Sequence, residues 1–359
     1  MPRNDPTLKV PPSWRTPSLI VLLLFGCGGP DPAQEGPAVP ADPDAFVSSD
    51  SARIMDDLRD LSHDSLQGRR TGTRGGEAAR SLILSAFQEA GLSPSLGGFL
   101  QPFQFQGRRD STRITRGANV VGMVPGRSPG LGAIVVTAHF DHLGVRAPRP
   151  PAPGGVVDSI FNGADDNASG TAALMALGRY VVHHPLRHTV VLAAVDAEEM
   201  GLRGSRAFLE GDWPGEIVLN VNLDMVARSD SLLFAAGTYH NPWLRTVLEA
   251  VRDHPPVVLR FGHDRPGVPG VQDWTGSSDH RPFHERGIPF VYFGVEDHPD
   301  YHRPSDEFEA VEPAFFLNAV RTILASVLAL DEALAQGGAG AADTLGSAGP
   351  RAPSSDGSL

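Results

Sequence analysis

The sequence predicts an α/β fold, a single domain with a mostly parallel central sheet flanked by helices on both faces. Short Val/Ile/Leu/Ala runs of strand length alternate with longer segments whose apolar residues recur at helical spacing. Several of those runs are apolar almost throughout, the pattern of strands covered on both faces in a parallel sheet. Acidic residues and histidines also gather just after the runs, where ligands bind in open α/β sheets.

Taken in order, Gly75–Ala90 is expected to be a helix, with Ala79, Leu82, Ile83, Ala86 and Phe87 on one face and Gly91 as its stop. Asn119–Val124 and Ala133–Ala138 read as buried strands, each followed by turn or polar residues. Ser169–Val182 is an Ala/Leu-rich helix, Thr189–Val195 a strand, Gly204–Leu209 a short helix and Ile217–Leu223 a further strand. Pro242–Arg252 is read as a helix, Pro289–Phe293 as a strand and Pro313–Ala335 as a long closing helix.

The ends of the chain have a different character. Arg3, Lys9 and Arg15 precede an apolar run from Leu19 to Phe25, the pattern of a secretory signal. That run is shorter than the roughly 20 apolar residues a membrane-spanning helix needs. Leu24-Phe25-Gly26-Cys27 resembles a bacterial lipobox, in which Cys27 would carry the lipid. Cys27 is the only cysteine, so neither an intrachain disulfide nor a thiolate metal ligand is available. The expected organisation is a lipoprotein signal peptide over 1–26, a flexible tether over 27–45, the folded domain over 46–335 and a disordered Gly/Ala/Ser/Pro tail over 336–359. A bacterial cell-envelope location follows, lipid-anchored and facing the periplasm or exterior, with membrane contact through the anchor alone. The formal charge of −12 argues against a nucleic-acid partner.

The chemistry-bearing residues sit at the ends of the strands. Ala133–Ala138 runs into His139-Phe140-Asp141-His142, Thr189–Val195 into Asp196-Ala197-Glu198-Glu199, and Ile217–Leu223 into Asp224. Asp165-Asp166-Asn167 precedes a helix, and Tyr301-His302-Arg303 follows the strand Pro289–Phe293. One such residue is ordinarily a cap or a surface group, but five segments in one domain are not. So many carboxylates together are costly unless cations neutralise them. Imidazoles and carboxylates without a thiolate suit zinc in a catalytic site, and two His with three carboxylates suit two ions sharing one carboxylate. Asp141, two residues beyond His139, is placed to accept the other ring N–H and fix the tautomer.

These segments resemble the zinc exopeptidases that include bacterial leucyl aminopeptidase, aminopeptidase Y, glutamate carboxypeptidase and glutaminyl cyclase. His139-Phe140-Asp141, Gly163 to Gly170, Glu198 to Ser205, Asn222-Leu223-Asp224 and Tyr301 to Asp306 carry the likeness, with weaker support from Gly68-Arg69 and Gly72-Thr73. The resemblance implies two Zn²⁺ per chain. Asp166 would bridge them, His139 and Asp224 would complete one, and Glu199 and His302 the other. It further implies Glu198 as general base, a cis peptide between Asp166 and Asn167, and removal of N-terminal residues from peptide substrates.

Carboxypeptidase activity, glutaminyl-cyclase-like acyl transfer and a non-catalytic binding module are the competing readings. Asp279 and His280 are candidates to contact substrate or to support the metal ligands, and the Gly262–Gly276 loop is a candidate pocket wall. His183, His184 and His188 are read as surface groups, Arg203 as structural, and His142 as facing away from the ligands.

Overall fold

A computed structural model describes residues 39–106, 114–128, 130–146, 158–211, 213, 215–251 and 253–337. The signal segment, Cys27 and the tail beyond residue 337 lie outside them. The chain folds earlier than its Pro/Ala/Asp composition suggests. Asp42 caps the amide of Ala45 at 2.9 Å, and Pro43 takes the first position of helix α1, Pro43–Leu61. The Tyr180 hydroxyl donates to Ala41 O, and His184 Nε2 donates to Val39 O at 3.0 Å. Residues 39–45, expected to end the tether, therefore belong to the fold. A 3₁₀ segment, Asp64–Arg69, leads to α2, Arg74–Glu89, which Thr73 caps.

The strands are β1 Ser93–Pro94, β2 Leu100–Gln106, β3 Ile114–Val124, β4 Ala133–His139, β5 Gly144–Val145, β6 Ile160–Phe161, β7 Thr189–Val195, β8 Ile217–Leu223, β9 Leu232–Ala236, β10 Val258–Phe261 and β11 Phe290–Gly294. Between and after them lie α3 Gly170–His183, α4 Arg203–Leu209, α5 Pro242–Leu248, α6 Arg281–Glu285 and α7 Pro313–Ala335. The expected parallel sheet is the centre of the molecule, in the order β7-β4-β8-β11. Antiparallel partners flank it: β3 joins β7 and carries β1 and β2, while β9 joins β11 and pairs in parallel with β10. Strand β2 alternates between exposed and half-buried positions, as an antiparallel strand with a solvated face does.

Alternation along β7 shows how the sheet is covered. Val190, Leu192 and Ala194 join the large core, with Leu58 of α1, Ile83 of α2, Leu174 of α3 and Phe316 of α7. Val191, Ala193 and Val195 point the other way, into a smaller core closed by Phe208 of α4 and Phe283 of α6. One face thus carries a thick helical layer and the other a thin one. Because β4, β7 and β8 are parallel and His139 pairs with Val195, their C-terminal ends are level and deliver their next residues to one edge.

Candidate metal centre

His139 is the last residue of β4, and its ring points across the strand ends. Its Nε2 lies 3.3 Å from Asp224 Oδ1 and 3.4 Å from Asp166 Oδ1. The other oxygen of Asp166 faces elsewhere: Oδ2 is 3.0 Å from His302 Nε2, which is itself 3.3 Å from Glu199 Oε1. The five ligands expected from the sequence therefore converge in two sets, and Asp166 contributes one oxygen to each.

Local backbone makes this possible. The Asp166–Asn167 peptide is cis, as the resemblance implied. Asn167 ties its loop to β8, donating to Leu223 O at 2.9 Å while accepting from the amides of Gly170 and Met225. A side chain at Gly170 would bring a Cβ within 2.3 Å of Asn167 Oδ1 and 2.5 Å of Leu223 O, so only glycine fits there. Asp165 turns away from the centre, accepting from Ser169 Oγ and from the amide of Ala227. Asp306 accepts from the amides of both Asp165 and Asp166. Ala197 beside Glu198, Met225 beside Asp224, and His302 itself have positive φ, a conformation kept where structure holds a side chain in place.

Arg69 is wholly buried beneath the centre and donates to the carbonyls of Phe140, Leu61, Asn162 and Gly163, clamping two ligand-bearing loops together. Burial lowers its guanidinium to about 10, while Asp166, Asp306, Asp141 and Glu199 support its charge.

Asp141 acts differently from expectation. His139 Nδ1 lies 3.1 Å from the backbone oxygen of Asp141, whereas the carboxylate is 3.8 Å away. The carboxylate instead accepts from the amide of Glu198 at 2.9 Å and from Thr71 Oγ1, which also bonds Asp196. It therefore holds the Glu198 backbone, and a main-chain carbonyl orients the imidazole.

Three further expectations need correction. Asp279 and His280 are fully buried and absent from the cavity lining, which leaves the other reading of them, support of the site from behind. The His280 ring stacks between Phe290 and Tyr292, with Nε2 on Trp274 O. His188 is not a surface group: it is buried, with Nδ1 2.7 Å from Asp331 Oδ1 of α7. His142 does not face away, for its buried ring brings Nδ1 to 2.9 Å from Glu199 Oε1 and 3.6 Å from Asp166 Oδ2. The turn after β4 leaves the strand at once, so alternation along β4 gives no guide to where His142 points.

A cavity of about 410 Å³ opens over the two sets, lined by the five ligands, Glu198, Trp274, Tyr292 and Tyr301. Gln272, Asp273 and Trp274 show that the Gly262–Gly276 loop does wall it.

The donors suit metal. Ligand atoms 2.0–2.2 Å from a zinc stand roughly 3.3–3.6 Å apart at tetrahedral angles, close to the separations found in both sets. Glu199 Oε1 is buried without a hydrogen-bond partner among the described residues, as a carboxylate aimed at a cation would be. Electrostatics divide the carboxylates. Burial acts against the charge on Asp166, but three imidazoles hold its carboxyl well below the usual range. Asp224 is raised by burial, and the neighbouring Asp166 adds to this against His139.

A parallel α/β sheet delivering imidazoles and carboxylates in two sets to one cavity defines the metal-dependent peptidases of this architecture as a class. Residues 119–327 match Peptidase family M28, and the chain belongs to that family. It is 29% identical over 204 residues to Aminopeptidase YwaD of Bacillus subtilis, a match covering 54% of this chain and 40% of that protein. The chain thus spans less than half the length of that relative. Among solved structures, an aminopeptidase from Aneurinibacillus sp. strain AM-1 superposes with a TM-score of 0.62 at 15% identity, covering 80% of this chain and 94% of that one. BSAP, a zinc aminopeptidase from Bacillus subtilis, does so at 0.60 and 18%, covering 81% and 95%. At such identity these two likenesses speak to the fold.

Proposed function

We propose that this chain removes N-terminal residues from peptides by hydrolysis, using two zinc ions and Glu198 as general base. The observation that carries the reading is the division of Asp166 between two ligand sets, His139 with Asp224 and Glu199 with His302. A single-zinc site of the cyclase kind needs only one of them.

Bound divalent ions supply Lewis-acid chemistry, acidifying water and polarising a carbonyl. The protein's own part is proton handling. Glu198 lines the cavity beside the ligands, its amide held by Asp141. Burial raises its carboxyl well above the ordinary range; His139 opposes this, and Asp279, Asp224 and Glu199 add to it. A base of raised pKa can take the proton of the attacking water and later release it to the leaving amine nitrogen.

The cavity's charge favours a free amino terminus. Asp273 and Asp297 line it with the ligands, and no arginine or lysine does so among the described residues. One observation supports the carboxypeptidase reading instead. A cavity of about 270 Å³ shares Glu198 and Ser277 with the first and is lined by Arg203, Arg206 and Arg281. Arg206 and Arg281 both pair with Glu285, whereas Arg203, whose Nε donates to Met200 O and whose guanidinium packs over Phe105, has no carboxylate partner among the described residues and could meet one on the leaving portion.

Turnover of matched peptides with free or acetylated amino termini tests the reading. Acetylation is expected to abolish cleavage, and rapid C-terminal release from acetylated peptides would overturn the aminopeptidase assignment. Glu198→Gln is expected to keep both ions and lose about 10²–10⁴-fold in kcat. Near-normal kcat in that variant would remove Glu198 from the role of base.

A further inference from the structure

We propose that His142 is itself a metal ligand through Nδ1, so that the Glu199–His302 position has four protein ligands and the His139–Asp224 position three. The inference rests on the two-metal reading and adds a residue to it. The His142 side chain has no exposed surface. Neither ring nitrogen has a hydrogen-bond partner among the described residues, and neither does Glu199 Oε1, although Nδ1 and Oε1 are 2.9 Å apart. An imidazole nitrogen and a carboxylate oxygen that approach so closely without hydrogen-bond alignment are aimed at a common point rather than at each other. A shared cation there satisfies both, and buried polar groups left without partners are otherwise costly.

Separations to the rest of the set agree. Nδ1 lies 3.6 Å from Asp166 Oδ2, so its two distances bracket the roughly 3.3–3.6 Å expected between zinc ligands. The His142 and His302 rings meet edge to face with centroids 5.7 Å apart, leaving both nitrogens access to one ion. The sequence makes room for this ring. Gly163 has a φ of +56°, and a Cβ there would stand 2.6 Å from the His142 ring. The segment itself is clamped, with Arg69 donating to Phe140 O and Arg70 to Leu143 O.

The consequence is asymmetry. Structural zinc sites are closed by four protein ligands, whereas catalytic ones keep a position open beyond three. The His142 position becomes the tighter, more closed one, and the open position falls on the His139–Asp224 side.

X-ray absorption and competitive metal titration of the full chain loaded with Co²⁺ test this. The wild type is expected to show three imidazoles per two ions, and His142→Ala two per two. The variant should also bind one ion more weakly by more than the roughly 10–100-fold that loss of an outer partner costs. His142→Asp, which returns a ligand atom, is expected to recover tight binding while keeping the lower imidazole count; recovery guards against a simple packing defect. An unchanged imidazole count in His142→Ala overturns the proposal whatever happens to affinity, since His142 would then only orient Glu199. Fewer than two ions per wild-type chain would instead overturn the two-metal reading beneath it.

Discussion

Asp166 shows what one side chain can organise. Its two oxygens face different imidazoles, its amide donates to Asp306, and the next residue, Asn167, ties the loop to Leu223 of β8. Without metal, the imidazoles answer that charge. Burial works against a proton on His139, yet Asp224 and Asp166 raise it well above its ordinary range. His302, raised chiefly by Asp166 and Glu199 against burial, reaches about 10. The neighbouring carboxylates thus favour a proton on each ring in the metal-free protein, and a metal that binds there displaces whatever protons they hold. The sign follows: loading releases protons at pH 7, and apparent affinity rises with pH up to the raised values. Calorimetric metal titrations in buffers of different ionisation enthalpy should report net release. No proton release would mean that these imidazoles are neutral or do not bind metal. At this scale the sequence was a good guide to which side chains converge, because the five candidate ligands stand in recognisable local segments. It was a poor guide to His142 and Arg69. Arg69 reaches Phe140 across 71 positions and Gly163 across 94, contacts no local pattern encodes.

Among the elements, the long apolar runs were legible and the short or polar ones were not. Thr189–Val195, Ile217–Leu223 and Pro313–Ala335 form as expected. Helix α1 was hidden because Asp42-Pro43 reads as linker composition until one sees that the same pair caps a helix. Strands β9 and β10 are too short to show a period, and helix α5 ends at Leu248, short of the expected Arg252. One ionic contact pins the closing helix to the sheet. Asp331 of α7 accepts from the amides of Arg187 and His188 and faces His188 Nδ1, just before β7. Burial would raise its carboxyl, but these donors hold it below the usual range. A depressed folded-state pKa stabilises fully above the unfolded value of about 3.9 and loses that contribution as pH falls through the folded value. Asp331→Asn should therefore cost about 2 kcal/mol at pH 7, with the deficit shrinking under acid. Urea unfolding at pH 7 and in acid would measure it. A deficit independent of pH would show that charge is not its source.

Over the whole molecule, a sheet with a thick helical layer on one face and a thin one on the other leaves the C-terminal strand edge open. Every ligand arrives there, from β4, the loop before α3, β7, β8 and the loop after β11. That placement could be anticipated, since parallel strands put their ends together. The antiparallel flanks could not, because pairing partners depend on contacts far apart in sequence. The proposed chemistry of the site requires two ions sharing Asp166. Anomalous diffraction at the zinc edge from crystals of the zinc-loaded protein tests it most directly. Two peaks about 3.5–4 Å apart, one on each side of the Asp166 carboxylate, are predicted; a single peak, or two that do not both touch Asp166, would contradict it.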